Sequence, residues 1–357
     1  MPAEPMRIAI IAITGNGARL GSRLQAGLAQ AELYVPAKHC GKADKSAIPL
    51  HGELHQLVAS LWHEVAGFVF IMATGIVVRL LAPLLENKAV DPGVVVMDDA
   101  GKFAISLLSG HLGGGNELAE RAAFITGSRA VITTATDANG LPSFDMLAKD
   151  NGWAIENLPR VKTLNALLLE NEKIAVVDET SLVRPYFHGR GNLQFFDSFV
   201  AALRSGASGS LFVTSSVVPP QLDSGSLLVL RPKSLFLGIG CNSGTTAEEI
   251  HEVILSNCKR LFLSPASIAA LASAEAKEHE PGLLAVAAAL KLPLRFFSST
   301  ELNSVATPTP PSEHALAAIG AQGVAEPAAI LSSGGGKLLL KKIKSGNVTL
   351  AIAEAKG

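Results

Sequence analysis

Leu108-Ser-Gly-His-Leu-Gly-Gly-Gly-Asn-Glu117 decides how this chain is read, because it sets a glycine-rich turn between an apolar strand and an amphipathic helix. Strand, turn and helix in that order make a βα unit, and N–H groups at such a helix mouth suit an anion. Asn116 is the expected N-cap. Leu118, Ala119, Ala122, Ala123 and Ile125 then recur at helical spacing until Gly127 ends the helix. Val131-Ile-Thr-Thr134 reads as a buried strand with Asp137 just past its carboxyl end. Ligands of open α/β sheets bind at that end, so His111 and Asp137 are expected on one edge.

Working outward toward the N-terminus, Arg7-Ile-Ala-Ile-Ile-Ala-Ile13 reads as a first buried strand, followed by a helix with Leu20, Leu24 and Leu28 on one face. Gly15-x-Gly17-x-x-x-Gly21 misses the dinucleotide fingerprint by one residue, and no acidic residue ends the next strand, so a nucleotide site is disfavoured. Gly67 to Met72 is a further strand, and Ala73-Thr-Gly-Ile-Val-Val-Arg79 forms a second strand-to-helix mouth. There Thr74 is the expected cap and Arg79 offers a fork of donors for carboxylates, the alternative being a buried arginine paired to Asp98 or Asp99. The apolar run Val65 to Leu85 reads as strand, turn and helix, since Arg79 would be costly inside a membrane span.

Toward the C-terminus, Leu141-Pro-Ser-Phe-Asp145 marks a boundary. Lys173 to Val177 and Ser210 to Thr214 are expected strands. Ser234 to Gly240 starts another βα unit whose helix is opened by a capping box of Thr245 and Glu248. Pro281, the pair Ser298 and Glu301, and Ser312 mark later helix starts, and Lys337 to Ile343 with Asn347 to Ala353 form a closing hairpin. The expected architecture is a three-part α/β chain: residues 1–138 with the site motifs, a smaller α/β middle part over 139–233, and an α/β part over 234–357 closed by a β-hairpin.

Composition narrows the function classes. With 48% hydrophobic and 17% charged residues and a net charge of −1, the chain has globular character and no basic field for nucleic acid. Cys40, Cys241 and Cys258 lie far apart, which indicates neither a disulfide framework nor a zinc site. The cytosol is the natural compartment on this reading, and Met1 to Arg7 carries no leader pattern.

Six stretches resemble the cobalt-precorrin-5A hydrolase (CbiG) family of anaerobic cobalamin biosynthesis. They are Met72 to Arg79, Leu107 to Gly114 with Asn116 to Ala119, Thr133 to Asp137, Gly238 to Cys241 with Gly244 and Thr245, Glu280 to Leu284, and Lys344 to Val348. Two departures stand out: Gly115 takes the place of the family's usual alanine, and Asn242-Ser243 that of a basic pair. The resemblance implies water-driven opening of the δ-lactone of cobalt-precorrin-5A, with the former meso carbon leaving as acetaldehyde. It implies no protein cofactor and no protein metal site, because cobalt arrives inside the tetrapyrrole substrate. Oligomerisation is left open. For that chemistry His111 is the expected base and Asp137 its partner. Thr74, Gly75, Arg79, Ser109, Gly113, Gly114, Gly115, Asn116, Thr245 and Asn347 are the expected contacts to the substrate. The rival reading is a non-catalytic tetrapyrrole carrier or sensor using the same helix mouths.

Overall fold

Alternate side chains of the strand Ile8–Ala12 (β1) serve two cores: Ile8, Ile10 and Ala12 pack with one, Ala9 and Ile11 with the other. A strand buried on both faces belongs inside a sheet covered by helices on both sides. That sheet holds β1, Ala31–Pro36 (β2), Ile48–Leu50 (β3), Gly67–Ile71 (β4), Gly93–Met97 (β5), Phe103–Leu108 (β6) and Arg129–Val131 (β7), in the order β3-β2-β1-β4-β5-β6-β7. Helices Gly15–Gly27 (α1) and Gly115–Thr126 (α4) cover one face, and Leu54–Leu61 (α2) and Thr74–Leu81 (α3) the other. The computed structural model describes residues 7–87, 90–223 and 225–355, so Met1 to Met6, read above for a leader, lie outside the described residues.

One pairing breaks the parallel run. β5 and β6 are antiparallel, joined by a turn in which Asp98 accepts hydrogen bonds from the N–H groups of Ala100, Lys102 and Phe103. The carboxyl ends of β6 and the parallel β7 therefore lie at the edge where β4 and β5 begin. The Gly75 turn follows β4 and sits at the opposite edge, roughly 13 Å away along the strands. The two helix mouths do not face one another, and within this unit one anionic group cannot be held by both.

Several local expectations are corrected. β7 ends at Val131 as a partly exposed edge strand, so Thr133 and Thr134 belong to the following loop. Thr74 is the first residue of α3, whose N-cap is Ala73. Arg79 is exposed and donates to the Gly75 carbonyl at 2.8 Å, so it is not buried against Asp98 or Asp99. The glycines after β1 have packing reasons: a Cβ on Gly21 would come within 2.5 Å of Leu33, and Thr14 Oγ1 accepts from Gly17 N while donating to Asp99. The Val65 to Leu85 run is β4 followed by α3, and no helix among the described residues is long and apolar enough to cross a membrane.

Residues 1–146 form one compact unit and 147–357 a second. The second holds two five-stranded sheets. Ala154–Ile155 (β8), Ile174–Asp178 (β9), Leu193–Phe195 (β10), Gly209–Val213 (β11) and Leu227–Arg231 (β12) are ordered β10-β9-β11-β12-β8. Leu235–Cys241 (β13), Ile268–Ala274 (β14), Leu294–Phe297 (β15), Lys337–Ser345 (β16) and Val348–Glu354 (β17) are ordered β15-β14-β13-β17-β16, with β16 and β17 the expected hairpin. The Ser298 and Glu301 capping box forms, Ser312 caps its helix, and Pro281 opens another. The helix Ala247–Arg260 is capped by Thr246 rather than Thr245, with Glu249 N as donor. The core cluster Leu235, Leu237, Ile239, Ile250, Ile254, Leu271, Leu283, Leu350 and Ile352 draws only on residues after 234. A fragment starting at Leu235 is therefore expected to melt cooperatively by circular dichroism; a non-cooperative melt would show that this core needs the preceding sheet.

Candidate active site

The turn after β6 is forced by its backbone. Ser109 has φ +51° and Gly114 φ +78°, and a Cβ on Gly113 would come within 2.4 Å of Ser109 Cβ. Three N–H groups of the helix mouth are taken up locally: Gly114 N donates to His111 O, Gly115 N to Ser109 O and Asn116 N to Gly110 O. This corrects the expectation of an open anion mouth. Among the described residues Ser109 Oγ is buried without a hydrogen-bond partner, beside a left-handed backbone that serine adopts at some cost. Strain and an unsatisfied hydroxyl next to His111 fit a turn shaped for something other than stability.

Asn116 is not the N-cap; Gly114 is. The Asn116 amide instead ties the two strand ends together. Its Oδ1 accepts from Ser106 Oγ at 2.7 Å, and its Nδ2 donates to Thr134 Oγ1 and Asp137 Oδ2, both at 3.1 Å. Gly110 must lack a side chain because a Cβ there would come within 2.4 Å of Asn116 Oδ1.

His111 stands between two carboxylates. Nε2 lies 2.7 Å from Asp137 Oδ2 and Nδ1 lies 3.1 Å from Asp145 Oδ2, with the hydroxyls of Thr136 and Ser143 at 3.4 Å from the same two nitrogens. The parallel β6 and β7 place His111 and Asp137 on one edge, as the strand order requires. Asp145, at the start of the helix Phe144–Asp150, was not foreseen as a partner; Leu141-Pro-Ser-Phe-Asp145 carries a boundary signal but nothing that singles out its carboxylate. The two acids differ in setting: the Asp145 side chain is 4% exposed and that of Asp137 44%. Hydrogen bonding to Asp145 raises the His111 pKa above its ordinary value, burial opposes it, and Asp137 adds to the rise. The buried acid thus orients the ring and the half-exposed acid sits at its outer nitrogen.

The other expected residues are scattered. Thr74, Gly75 and Arg79 lie at the opposite edge of the sheet. In the second unit Thr245 is buried and donates to Asn242 O at 2.8 Å, while Asn347 is bonded to Glu249 and to Asn242. Among the described residues no group of three or more His, Cys, Asp or Glu side chains could hold a metal ion.

A buried acid, an imidazole and an accessible acid on the edge of an α/β sheet bring together groups of the type that proton transfer in hydrolysis requires. Three successive segments match the descriptions "Cobalamin synthesis G N-terminal" (residues 56–137), "Cobalamin biosynthesis central region" (142–232) and "Cobalamin synthesis G C-terminus" (235–353). The chain is 37% identical over 355 residues to the cobalt-precorrin-5A hydrolase of Priestia megaterium, covering 97% of this chain and 94% of that protein. It is 30% identical over 357 residues to the cobalt-precorrin-5A hydrolase of Salmonella typhimurium, covering 99% of each. Protein CobE of Sinorhizobium sp. is 34% identical over 121 residues, covering 33% of this chain and 79% of that one. The chain belongs to the cobalt-precorrin-5A hydrolase family of cobalamin biosynthesis.

Proposed function

We propose that this chain opens the δ-lactone of cobalt-precorrin-5A with water and releases acetaldehyde, giving cobalt-precorrin-5B, with cobalt carried in by the substrate. The observation that carries the reading is the imidazole of His111 held between Asp137 and Asp145. Lactone hydrolysis needs a group that takes a proton from water and later returns one to the leaving oxygen. In this reading the His111–Asp137 pair takes the proton as water adds to the lactone carbonyl. The positively charged ring then stands beside the tetrahedral oxyanion, and its proton passes to the ring oxygen as the C–O bond breaks. The same pair next removes the proton of the freed hydroxyl, so that the C–C bond cleaves with its electron pair passing into the conjugated macrocycle, which takes up a proton, and acetaldehyde departs. Asp145 keeps the ring in place throughout. Incubating the protein with cobalt-precorrin-5A and assaying acetaldehyde tests this; recovery of unchanged tetrapyrrole would favour the carrier reading.

The pH profile gives a sharper check. Because the carboxylates raise the His111 pKa, the proton-accepting form fills only above the ordinary imidazole value of about 6.5. Turnover is expected to climb with pH through that raised value. Asp145→Asn removes the largest cause of the rise, so the rising limb should move to lower pH while the maximum rate falls. A limb that stays in place would detach Asp145 from the titration of His111.

A further inference from the structure

The second unit contains a cleft of about 450 Å³ that lies at the carboxyl ends of β13 and β14, beside the β16–β17 hairpin. One wall is apolar, made by Ala315 and Ile319 of the helix Glu313–Ile319. Lys277, Lys342 and Lys344 line the same cleft. Lys277 is paired to Glu280 at 3.0 Å, and Glu280 also accepts from Gly244 N at 2.7 Å. Among the described residues neither Lys342 nor Lys344 is paired with a carboxylate. Of the acids nearby, Glu249 is engaged by Asn347, and the buried Glu326 accepts from the backbone N–H of Lys342 at 2.8 Å and from Thr309 rather than from a lysine ammonium group.

Apolar side chains and ammonium groups not neutralised by carboxylates, lining one cleft, suit a ligand with both characters: a flat apolar body edged with anionic groups. We infer that this cleft is a second corrinoid-binding site, holding part of a polycarboxylated tetrapyrrole by its ring face on Ala315 and Ile319 and by its carboxylates on Lys342 and Lys344, independently of His111. The volume suits one sector of such a ring rather than the whole. The assignment rests on the corrinoid reading above, but it concerns binding and not turnover. It gives the second unit a ligand role that the His111 cluster does not supply.

Equilibrium dialysis of the full-length protein with two probes tests it: cobyrinic acid, a corrin with free carboxylates, and cobinamide, the same ring with its side chains amidated. Cobyrinic acid is expected to bind more tightly than cobinamide and to lose affinity as salt is raised. Lys342→Ala combined with Lys344→Ala should weaken cobyrinic acid at least about tenfold, and Lys342→Arg with Lys344→Arg should restore it. His111→Gln should leave this binding unchanged while abolishing most turnover. An alanine pair that binds like the parent, or equal affinity for both probes, would overturn the cleft assignment. Failure of the parent protein to release acetaldehyde from cobalt-precorrin-5A would instead overturn the reaction and leave the cleft standing.

Discussion

His111→Ala is expected to cut acetaldehyde release by roughly 10²-fold or more, the usual scale for removing a general acid–base group, while tetrapyrrole binding survives. Both ring nitrogens are held by carboxylates, so the ring is fixed before substrate arrives and cannot be replaced by a mobile neighbour. Because alanine would also leave Asp145, 4% exposed, facing a hole, His111→Gln is the companion variant: its amide can bond the acids but cannot titrate. The two should lose the same rate. Stability separates charge from chemistry. A pKa raised in the folded state means that the His111 contribution is fully present below the unfolded value of about 6.5 and fades as pH rises through the folded value. The melting difference between parent and His111→Gln is therefore expected to be largest at acid pH and to narrow as pH rises through the raised His111 value. Parallel loss of binding and turnover would make His111 a binding residue, and full activity would move the base elsewhere.

The elements were legible where periodicity and caps act locally. Arg7 to Ile13, Gly67 to Met72 and the Ser298 capping box each needed only neighbouring residues to declare themselves, and all form. The pairing of His111 with Asp137 was legible because two successive strands with a helix between them are parallel, which brings their carboxyl ends together. Asp145 was not, since its approach to the ring depends on where the chain goes after Gly140, and no periodic signal encodes that. Nor was the reversal of β6: Asp98 reads as an ordinary polar residue until its carboxylate is seen gathering three N–H groups of a tight turn. That turn separates the Gly75 and Gly113 mouths, which local sequence treats as equivalents. The glycine-rich mouth misled for a related reason. Open N–H groups are a property of a helix start in isolation, whereas here Ser109, Gly110 and His111 turn their carbonyls back onto them.

Gly238→Ala is expected to destabilise the second unit by about 3 kcal/mol or more, above the middle of the range for overpacked cores, because the obstruction is backbone rather than a side chain that can turn aside. A Cβ at Gly238 would stand 1.8 Å from Ala325 O and 2.7 Å from Ala329 N of the helix Ala325–Ser332. That helix lies on a floor of small residues: Gly238 pairs with Ala272 on β14 and Ala351 on β17, and Ala325, Ala329, Ala351 and Ala353 pack together. Relief would require the helix to lift, breaking contact along its length. For a unit of this size such a loss corresponds to a fall of roughly 6–12 °C in melting temperature. Gly41→Ala, where a Cβ meets nothing within 4 Å, should stay within about 0.5 kcal/mol of the parent. Gly238 is one of the residues that carry the likeness to the cobalt-precorrin-5A hydrolases, so the measurement also decides what that motif is for. A Gly238→Ala protein that melts with the parent would remove the packing explanation and turn attention to a ligand at the carboxyl end of β13.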